Sequence, residues 1–263
     1  MGIKVGVFGA GGRMGSTVCR AVLDDPELEL VAACDPHHAG LDLRTVARLD
    51  DTDLQVVAGP DALVAAGVEV VVDFTTLDAA RDNLAAVADR GIHAVVGTTG
   101  FSDADLDGLR ARFTRSNCVL APNFAIGAVL MMRFAEMAAP WFETAEVVEL
   151  HHDAKVDAPS GTAMLTVARM AEASDQWGDD PTRTDVVPGA RGGVGPGGIH
   201  VHSLRLRGVV AHQEVILGTT GQTLTIRHDS YDRSSFMPGV VLAVKRVADR
   251  PGLTVGLDAL LDL

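Results

Sequence analysis

The sequence predicts an α/β protein in two parts: a doubly wound parallel sheet over residues 1–125, and a second domain over 126–235 on a mixed or antiparallel sheet. Three observations carry this expectation. Short apolar runs alternate with helix-patterned segments through the first 125 residues, as repeated βα units require. Hydrophobic residues make up 47% of the chain and aromatics only 4%, so Ala, Val, Leu and Ile must fill the cores, which suits buried parallel strands covered by helices. Beyond Ile126 the rhythm changes to a long helix and longer β-patterned runs.

Taken in order, Ile3 to Phe8 is a short apolar strand, followed by a glycine-rich turn and a helix to about Leu23. Leu28 to Cys34 is a second strand ending at Asp35, and Gln55 to Ala58 a weaker one. Glu69 to Phe74 is strongly β-branched, and Leu77 to Arg90 has helical spacing that stops at Gly91, a suitable C-terminal glycine. Ile92 to Val96, a helix from Asp103 to Arg115 and a strand from Cys118 to Ala121 complete the first pattern. A helix from Ile126 to Phe142 then leads into a strand at Ala145 to His151, and another helix starts near Ser160. Residues 175–198, rich in Gly, Pro, Asp and Arg, read as a long irregular loop. His200 to Leu206, His212 to Gly218 and Thr223 to His228 are strands, the last two forming a hairpin with Gly221-Gln222 at its turn. A closing helix, about Phe236 to Ala248 within 236–263, is expected to return to the first domain.

The charge balance narrows the function. With 22 Lys and Arg against 35 Asp and Glu the formal charge is −13, and no basic patch stands apart, so nucleic acid is not an expected partner. Cys19, Cys34 and Cys118 follow no zinc or redox spacing and read as reduced core thiols. No apolar run is long enough to span a bilayer and no leader precedes the first strand, so the expected compartment is the cytoplasm, with no membrane partner.

Gly9-Ala10-Gly11-Gly12-Arg13-Met14-Gly15 lies between the first strand and first helix. Glycines there permit a tight turn and bring backbone amides close to a pyrophosphate at the helix N-terminus. Met14 holds the place of the usual third glycine, and Gly15 follows it. Asp35 ends the second strand 20 residues after Gly15, where a carboxylate can accept hydrogen bonds from an adenosine ribose. Singly, these are also what a ligand-free turn and a solvated aspartate look like. Strand, glycine loop, helix, strand and acid in that order point to dinucleotide binding. Asp35 would repel a ribose 2′-phosphate, whereas Arg13, His37 or His38 could attract one; NADH and NADPH are both expected to serve, with a lean to NADH. Gly97-Thr98-Thr99-Gly100 and Ala121-Pro122-Asn123-Phe124 follow two further strands, where small residues let backbone groups reach a nicotinamide.

The segment Glu149 to Ala163 is the most informative. A strand delivers His151 and His152 into a loop carrying Lys155 and Asp157, and Pro159-Ser160-Gly161-Thr162 then opens a helix with Ser160 as its N-cap. The amides of Gly161 and Thr162, the Thr162 hydroxyl and the helix dipole can hold a carboxylate, and Lys155 adds a full positive charge. A histidine titrating near neutrality supplies or takes the proton. One loop thus offers proton donors and an anion cradle, suited to reducing a small carboxylated molecule. The two histidines could instead merely satisfy hydrogen bonds at a strand end. A metal site with Asp153, or with His200 and His202, is disfavoured: adjacent strand residues face opposite ways and no cysteine ligands accompany them, so no metal is expected.

These segments, in this order over essentially the whole length, closely resemble the dihydrodipicolinate reductases, in particular their actinobacterial branch; the run Val210-Ala211-His212-Gln213-Glu214-Val215 extends the likeness. The stretch His-His-x-x-Lys-x-Asp-Ala-Pro-Ser-Gly-Thr is highly specific to that family. The resemblance implies a Rossmann-type domain, an α+β substrate and tetramerisation domain, a homotetramer formed through the sheets of the latter, and reduction of 4-hydroxy-tetrahydrodipicolinate, a small dicarboxylate, with NADH or NADPH. It implies His151 as catalytic proton donor and acceptor with Lys155 beside it as donor. It further implies that His152, Ser160, Gly161 and Thr162 hold the substrate. The cofactor would lie against Gly9, Ala10, Gly11, Gly12, Arg13, Met14, Asp35, Gly97, Thr98, Thr99, Ala121, Pro122, Asn123 and Phe124. Some members carry an arginine after the acid of the second strand; here that place is Pro36. Two other readings compete: another Rossmann dehydrogenase of amino-acid metabolism, which the glycine loop alone would fit, and a nicotinamide sensor without chemistry, which would leave the histidine–lysine loop unexplained.

Overall fold

The chain opens with β1 (Ile3–Phe8), α1 (Arg13–Asp24), β2 (Leu28–Cys34), α2 (Leu43–Ala47), β3 (Val56–Val57), α3 (Asp61–Ala65), β4 (Val70–Asp73), α4 (Leu77–Asp89), β5 (His93–Val96), α5 (Asp103–Arg112) and β6 (Cys118–Leu120) in a computed structural model that describes residues 2–262. Local chemistry sets the ends. Ser102 and Asp105 form a reciprocal capping box at the start of α5, and Gly91 takes a φ of 73° just past α4. Helices α1 and α4 bury one stripe each, Val18, Cys19 and Val22 in the first and Ala80, Leu84, Val87 and Ala88 in the second.

The following segment, Ile126–Ser235, is a separate unit. It holds α6 (Ile126–Ala138), β7 (Thr144–His151), α7 (Gly161–Ala173), β8 (Gly193–Val194), β9 (His200–Arg205), β10 (Ala211–Thr219) and β11 (Gln222–Ser230). The strands lie in the order β11-β10-β7-β9-β8. Only β7 and β9 run parallel, so the sheet is mixed. Val147, Val201, Val215 and Leu217 share the face that packs on Ala135, Ala163, Val167 and Met170 of α6 and α7.

From Phe236 the chain belongs again to the first unit, with α8 (Met237–Arg246) and β12 (Leu253–Val255). That unit's sheet runs β12-β6-β5-β4-β1-β2-β3 with every pair parallel, the strand order of a Rossmann-type doubly wound fold. The order reverses between β1 and β4, and ligands bind outside the strand carboxyl ends at such a point.

Several details differ from the sequence expectation. The hairpin turn is Thr220-Gly221, one residue earlier in the chain, because Thr219 pairs with Gln222; Gly221, at φ 80°, supplies the left-handed residue at the second turn position rather than the first. The stretch 175–198 contains β8 and a 3-10 turn at Pro196–Gly198, whose glycines carry no hydrophobic period to announce them. Pro140 converts the end of the long helix into a 3-10 turn, Ala139–Trp141. The five-residue helices α2 and α3 and the three-residue β12 are too short for periodicity to reveal.

Candidate active site

In the first unit, the loop after β1 is built to leave amides free. Gly12 is the N-cap of α1 and has no side chain to accept from the first turn, and no acidic residue stands there. A Cβ on Gly15 would collide with the Gly9 carbonyl, so that glycine is sterically required, while one on Gly11 would displace the His38 ring. Asp35, just past β2 and 6% exposed, accepts from the Gly11 amide at 3.0 Å and from the His37 amide at 3.0 Å. It therefore ties the glycine loop to the second strand. Gly9, Gly12, Asp35, Pro36, His37 and Thr75 help line a cavity of about 430 Å³ at the switch point. Free helix amides at one end and a buried carboxylate beside it fit the pyrophosphate and adenosine ribose of a nicotinamide dinucleotide.

Ala10 is buried, Met14 half-buried, and Arg13 exposed at the start of α1. Among the strand-end loops, Thr98 donates to Asp73 Oδ1 and to the Thr75 carbonyl, both at 3.1 Å. Asp73, fully buried at the end of β4, also accepts from the Thr75 amide, the Thr75 hydroxyl and the Asn83 amide. One carboxylate thus organises the loops after β4 and β5. Gly97 is pressed against the Phe74 ring, where a Cβ would collide, and Phe74 meets Phe124 at a centroid distance of 5.8 Å. Asn123 accepts from the Ala125 amide at 2.9 Å, while Thr99 and Pro122 are exposed and Ala121 is buried.

In the second unit, β7 ends at His151 and the next residues form the loop into α7. His151 Nδ1 bonds to Glu149, two residues earlier on the same strand face. Glu149 is completely buried and is gripped by Arg205 of β9 through Nη1 at 3.0 Å and Nη2 at 2.9 Å. Burial pushes the Glu149 carboxyl up, but Arg205, Ser203 and His151 together hold it below its ordinary value, so it is ionised at neutral pH. Burial pushes His151 below the ordinary histidine value; the pull of Glu149 in the other direction does not cancel it, and Lys155 and Arg205 push it further down. His151 therefore rests neutral at pH 7. An ionised Glu149 at Nδ1 selects the tautomer with its proton there, leaving the Nε2 lone pair free.

The loop holds the other groups close in sequence. Lys155 Nζ bonds both Asp157 carboxylate oxygens, at 2.8 and 2.7 Å, and this bond is the main reason Asp157 lies below the usual carboxylate range. Ser160, 4% exposed, caps α7 by accepting from the Ala163 amide at 3.2 Å. Gly161 has open space where a Cβ would project, and α7 carries no acid in its first turn. His152 is exposed, and Thr162 is half-buried. A neutral histidine, an ammonium and a helix N-terminus together can hold a carboxylate and exchange one proton.

No group of three or more potential ligands able to hold a metal occurs among the described residues. His200 Nδ1 lies 2.6 Å from the Arg191 carbonyl and its Nε2 3.2 Å from Asp180, while His202 bonds Glu146 at 2.6 Å. Arg191, in the 175–198 stretch, is paired with Glu146 and Asp180. Arg205, Asp73 and Asn83 carried no assigned role in the sequence. Arg205 stands 54 residues beyond His151 (205 − 151), and only the β7–β9 register, which sets the two opposite each other, brings them together.

Family models described as the N- and C-terminal parts of dihydrodipicolinate reductase match residues 3–124 and 127–261. The chain is 52% identical over 268 residues to the 4-hydroxy-tetrahydrodipicolinate reductase of Cutibacterium acnes, covering 99% of each. It is also 52% identical over 270 residues to the enzyme of that name from Nocardia farcinica, covering 100% of each. Among solved structures, the dipicolinate-bound dihydrodipicolinate reductase of Paenisporosarcina sp. TG-14 superposes with a TM-score of 0.86 at 37% identity, over 98% of this chain and 99% of that one. An amine dehydrogenase of Mycobacterium smegmatis, 16% identical with a TM-score of 0.68 and covering 97% and 95%, shares the fold.

Proposed function

The chain belongs to the dihydrodipicolinate reductase family, and from that premise we propose how its residues divide the work of reducing 4-hydroxy-tetrahydrodipicolinate to tetrahydrodipicolinate in diaminopimelate and lysine biosynthesis. It is a nicotinamide-dependent oxidoreductase. The reaction takes one hydride from the reduced cofactor and one proton, and releases water. The nicotinamide supplies the hydride when bound; the protein must orient both ligands and manage the proton.

In this reading the first unit, 1–125 with 236–263, is the dinucleotide-binding domain. Gly9 to Met14 and the free amides of α1 take the pyrophosphate, Asp35 the ribose, and Gly97 to Thr99 with Ala121 to Phe124 the nicotinamide end. The second unit, 126–235, holds the substrate. The Gly161 and Thr162 amides receive a carboxylate, with Lys155 and His152 adding charge and hydrogen bonds. Ser160 fixes the start of α7 by accepting from the Ala163 amide, and its O–H can donate to the substrate. His151, through Nε2, gives and takes the proton at the departing hydroxyl or the carbon beside the hydride acceptor, with Lys155 as the accompanying donor. The observation that supports this most is the ionised Glu149 at Nδ1 of a neutral His151, a few residues from an ammonium and the N-terminus of α7.

Asp35 opposes a 2′-phosphate, and Pro36 adds no positive charge, which supports use of both cofactors with a lean to NADH. A strong preference for NADPH in steady-state kinetics would overturn that lean. A homotetramer is supported by the sheet face opposite the helices, where Val148, Leu150 and Ile216 are only partly covered. No helix is long and apolar enough to cross a membrane among the described residues, which accords with a cytoplasmic enzyme.

A bacterial strain lacking its own reductase, kept alive on diaminopimelate, tests the function in cells. Carrying this chain, it should grow without the supplement. Failure to grow while the folded protein accumulates would refute the proposed activity.

A further inference from the structure

We infer that Glu149 and Arg205 are positioning residues for the reaction: together they hold the His151 ring in a single tautomer and tie it to the loop that carries Lys155. The inference rests on the reductase reading and deepens it. Glu149 and His151 are two apart on β7 and so point to one face, and the register with β9 sets Arg205 directly beside His151. Glu149 uses one oxygen for both the His151 ring and Arg205 Nη1, and the other for Nη2. The same guanidinium donates from Nη2 to the Asp157 carbonyl at 2.6 Å, and Asp157 in turn holds Lys155. Arg205 Nη1 also meets the Leu204 carbonyl at 2.8 Å, so the guanidinium is held by its own strand. One buried carboxylate and one arginine therefore connect the two proton-handling side chains.

A plain sheet ion pair would need only Glu149 and Arg205. The added bond to Nδ1 does something more, because a ring free to carry its proton on Nε2 would present a donor where the reaction needs the lone pair. The Asp157 contact matters equally. It fixes the backbone from which Lys155 reaches, and a loop free to shift by an ångström loses the alignment that proton transfer requires.

The test compares wild type with Glu149→Gln, Arg205→Lys, His151→Gln and the double variant Glu149→Gln/His151→Gln. Tryptophan emission and circular dichroism verify folding in each. The ¹⁵N shifts of His151 report its tautomer directly, independent of turnover. Glu149→Gln should convert a single Nδ1–H form into a mixture. It should also lower kcat on the order of 10²-fold with the cofactor KM unchanged, and shift the His151 limb of the kcat/KM profile to lower pH, since the pull raising its pKa is gone. Arg205→Lys, which keeps the charge but not the fork, should retain only part of the wild-type rate. The double variant should be no slower than His151→Gln alone. An unchanged tautomer and pH limb in Glu149→Gln, or additive losses in the double variant, would overturn the inference. His151→Gln at the wild-type rate would instead remove the role assigned to His151 in the reaction, and the tautomer measurement would still decide the part played by Glu149.

Discussion

Replacing Arg205 by methionine strips a fully buried carboxylate of its cation. Glu149 has no exposed surface and the Arg205 side chain is only 20% exposed, so solvent cannot replace the guanidinium. The substitution removes the two bonds to Glu149, at 3.0 and 2.9 Å, and the bond to the Asp157 carbonyl at 2.6 Å. Breaking one side of such a pair costs about 3–5 kcal/mol. His151 remains beside the carboxylate and can take up a proton, which places the loss near about 3 kcal/mol. With a urea slope of about 2 kcal/mol per molar, the midpoint falls by about 1.5 M. The assay is selective, because both tryptophans, Trp141 and Trp177, lie within the second unit and their emission reports its unfolding. The pH dependence follows from the same geometry. Glu149 lies below its ordinary value of 4.5 in the native protein, so its ion pair stabilises at neutral pH and is lost as pH falls through the native pKa. Without Arg205, burial raises that pKa, so the deficit is full at pH 7–8 and shrinks on acidification as Glu149 takes a proton. The pair replacement Glu149→Met/Arg205→Met should be less destabilising than Arg205→Met alone. A loss below about 1 kcal/mol, or one that does not change with pH, would refute the buried-pair reasoning.

Four other outcomes are expected. His151→Gln should reduce turnover by roughly 10²-fold or more, and Lys155→Ala should impair both turnover and substrate affinity; near-normal steady-state rates would remove either residue from its role. Gly15→Ala forces a Cβ into the Gly9 carbonyl, and an overpacking cost of about 1–3 kcal/mol should weaken dinucleotide binding by about tenfold or more, read as the dissociation constant from nicotinamide fluorescence. An unchanged constant would contradict the close-packed loop. All three cysteines are buried, with Cys19 pushed up to about 12 and Cys34 to about 11 by burial. Intact-mass analysis after iodoacetamide at pH 8 should therefore show no adduct on the native protein and three on the unfolded chain. Rapid native labelling would contradict the core assignment.

How much of this was legible in the sequence depended on range. Strands such as Ile3–Phe8 and Leu28–Cys34 are continuous apolar runs bounded by turns, and their limits in the structure match the pattern. The strand order that identifies the sheet cannot be read from such runs, because register between distant strands leaves no local trace. At the site, the motif from Glu149 to Thr162 is contiguous, so it marks a loop and a helix start at once. Arg205 is one basic residue at a strand end, unremarkable until the β7–β9 register sets it beside His151. Asp73 reads as the polar end of a buried strand, and its grip on Thr75, Asn83 and Thr98 appears only when three segments meet. The turn of the last hairpin lies one residue before the place its sequence suggests, because Gly221 can serve either position in a two-residue turn and only strand pairing decides which.

The most direct test of the central claim is to mix the purified protein with dihydrodipicolinate synthase, pyruvate and aspartate semialdehyde, and to follow NADH and NADPH oxidation separately. The synthase generates the unstable substrate in place. Oxidation of both cofactors is expected only with synthase and this protein together, and should drop by roughly two orders of magnitude with His151→Gln. No oxidation with either cofactor, from protein shown to bind the dinucleotide, would contradict it.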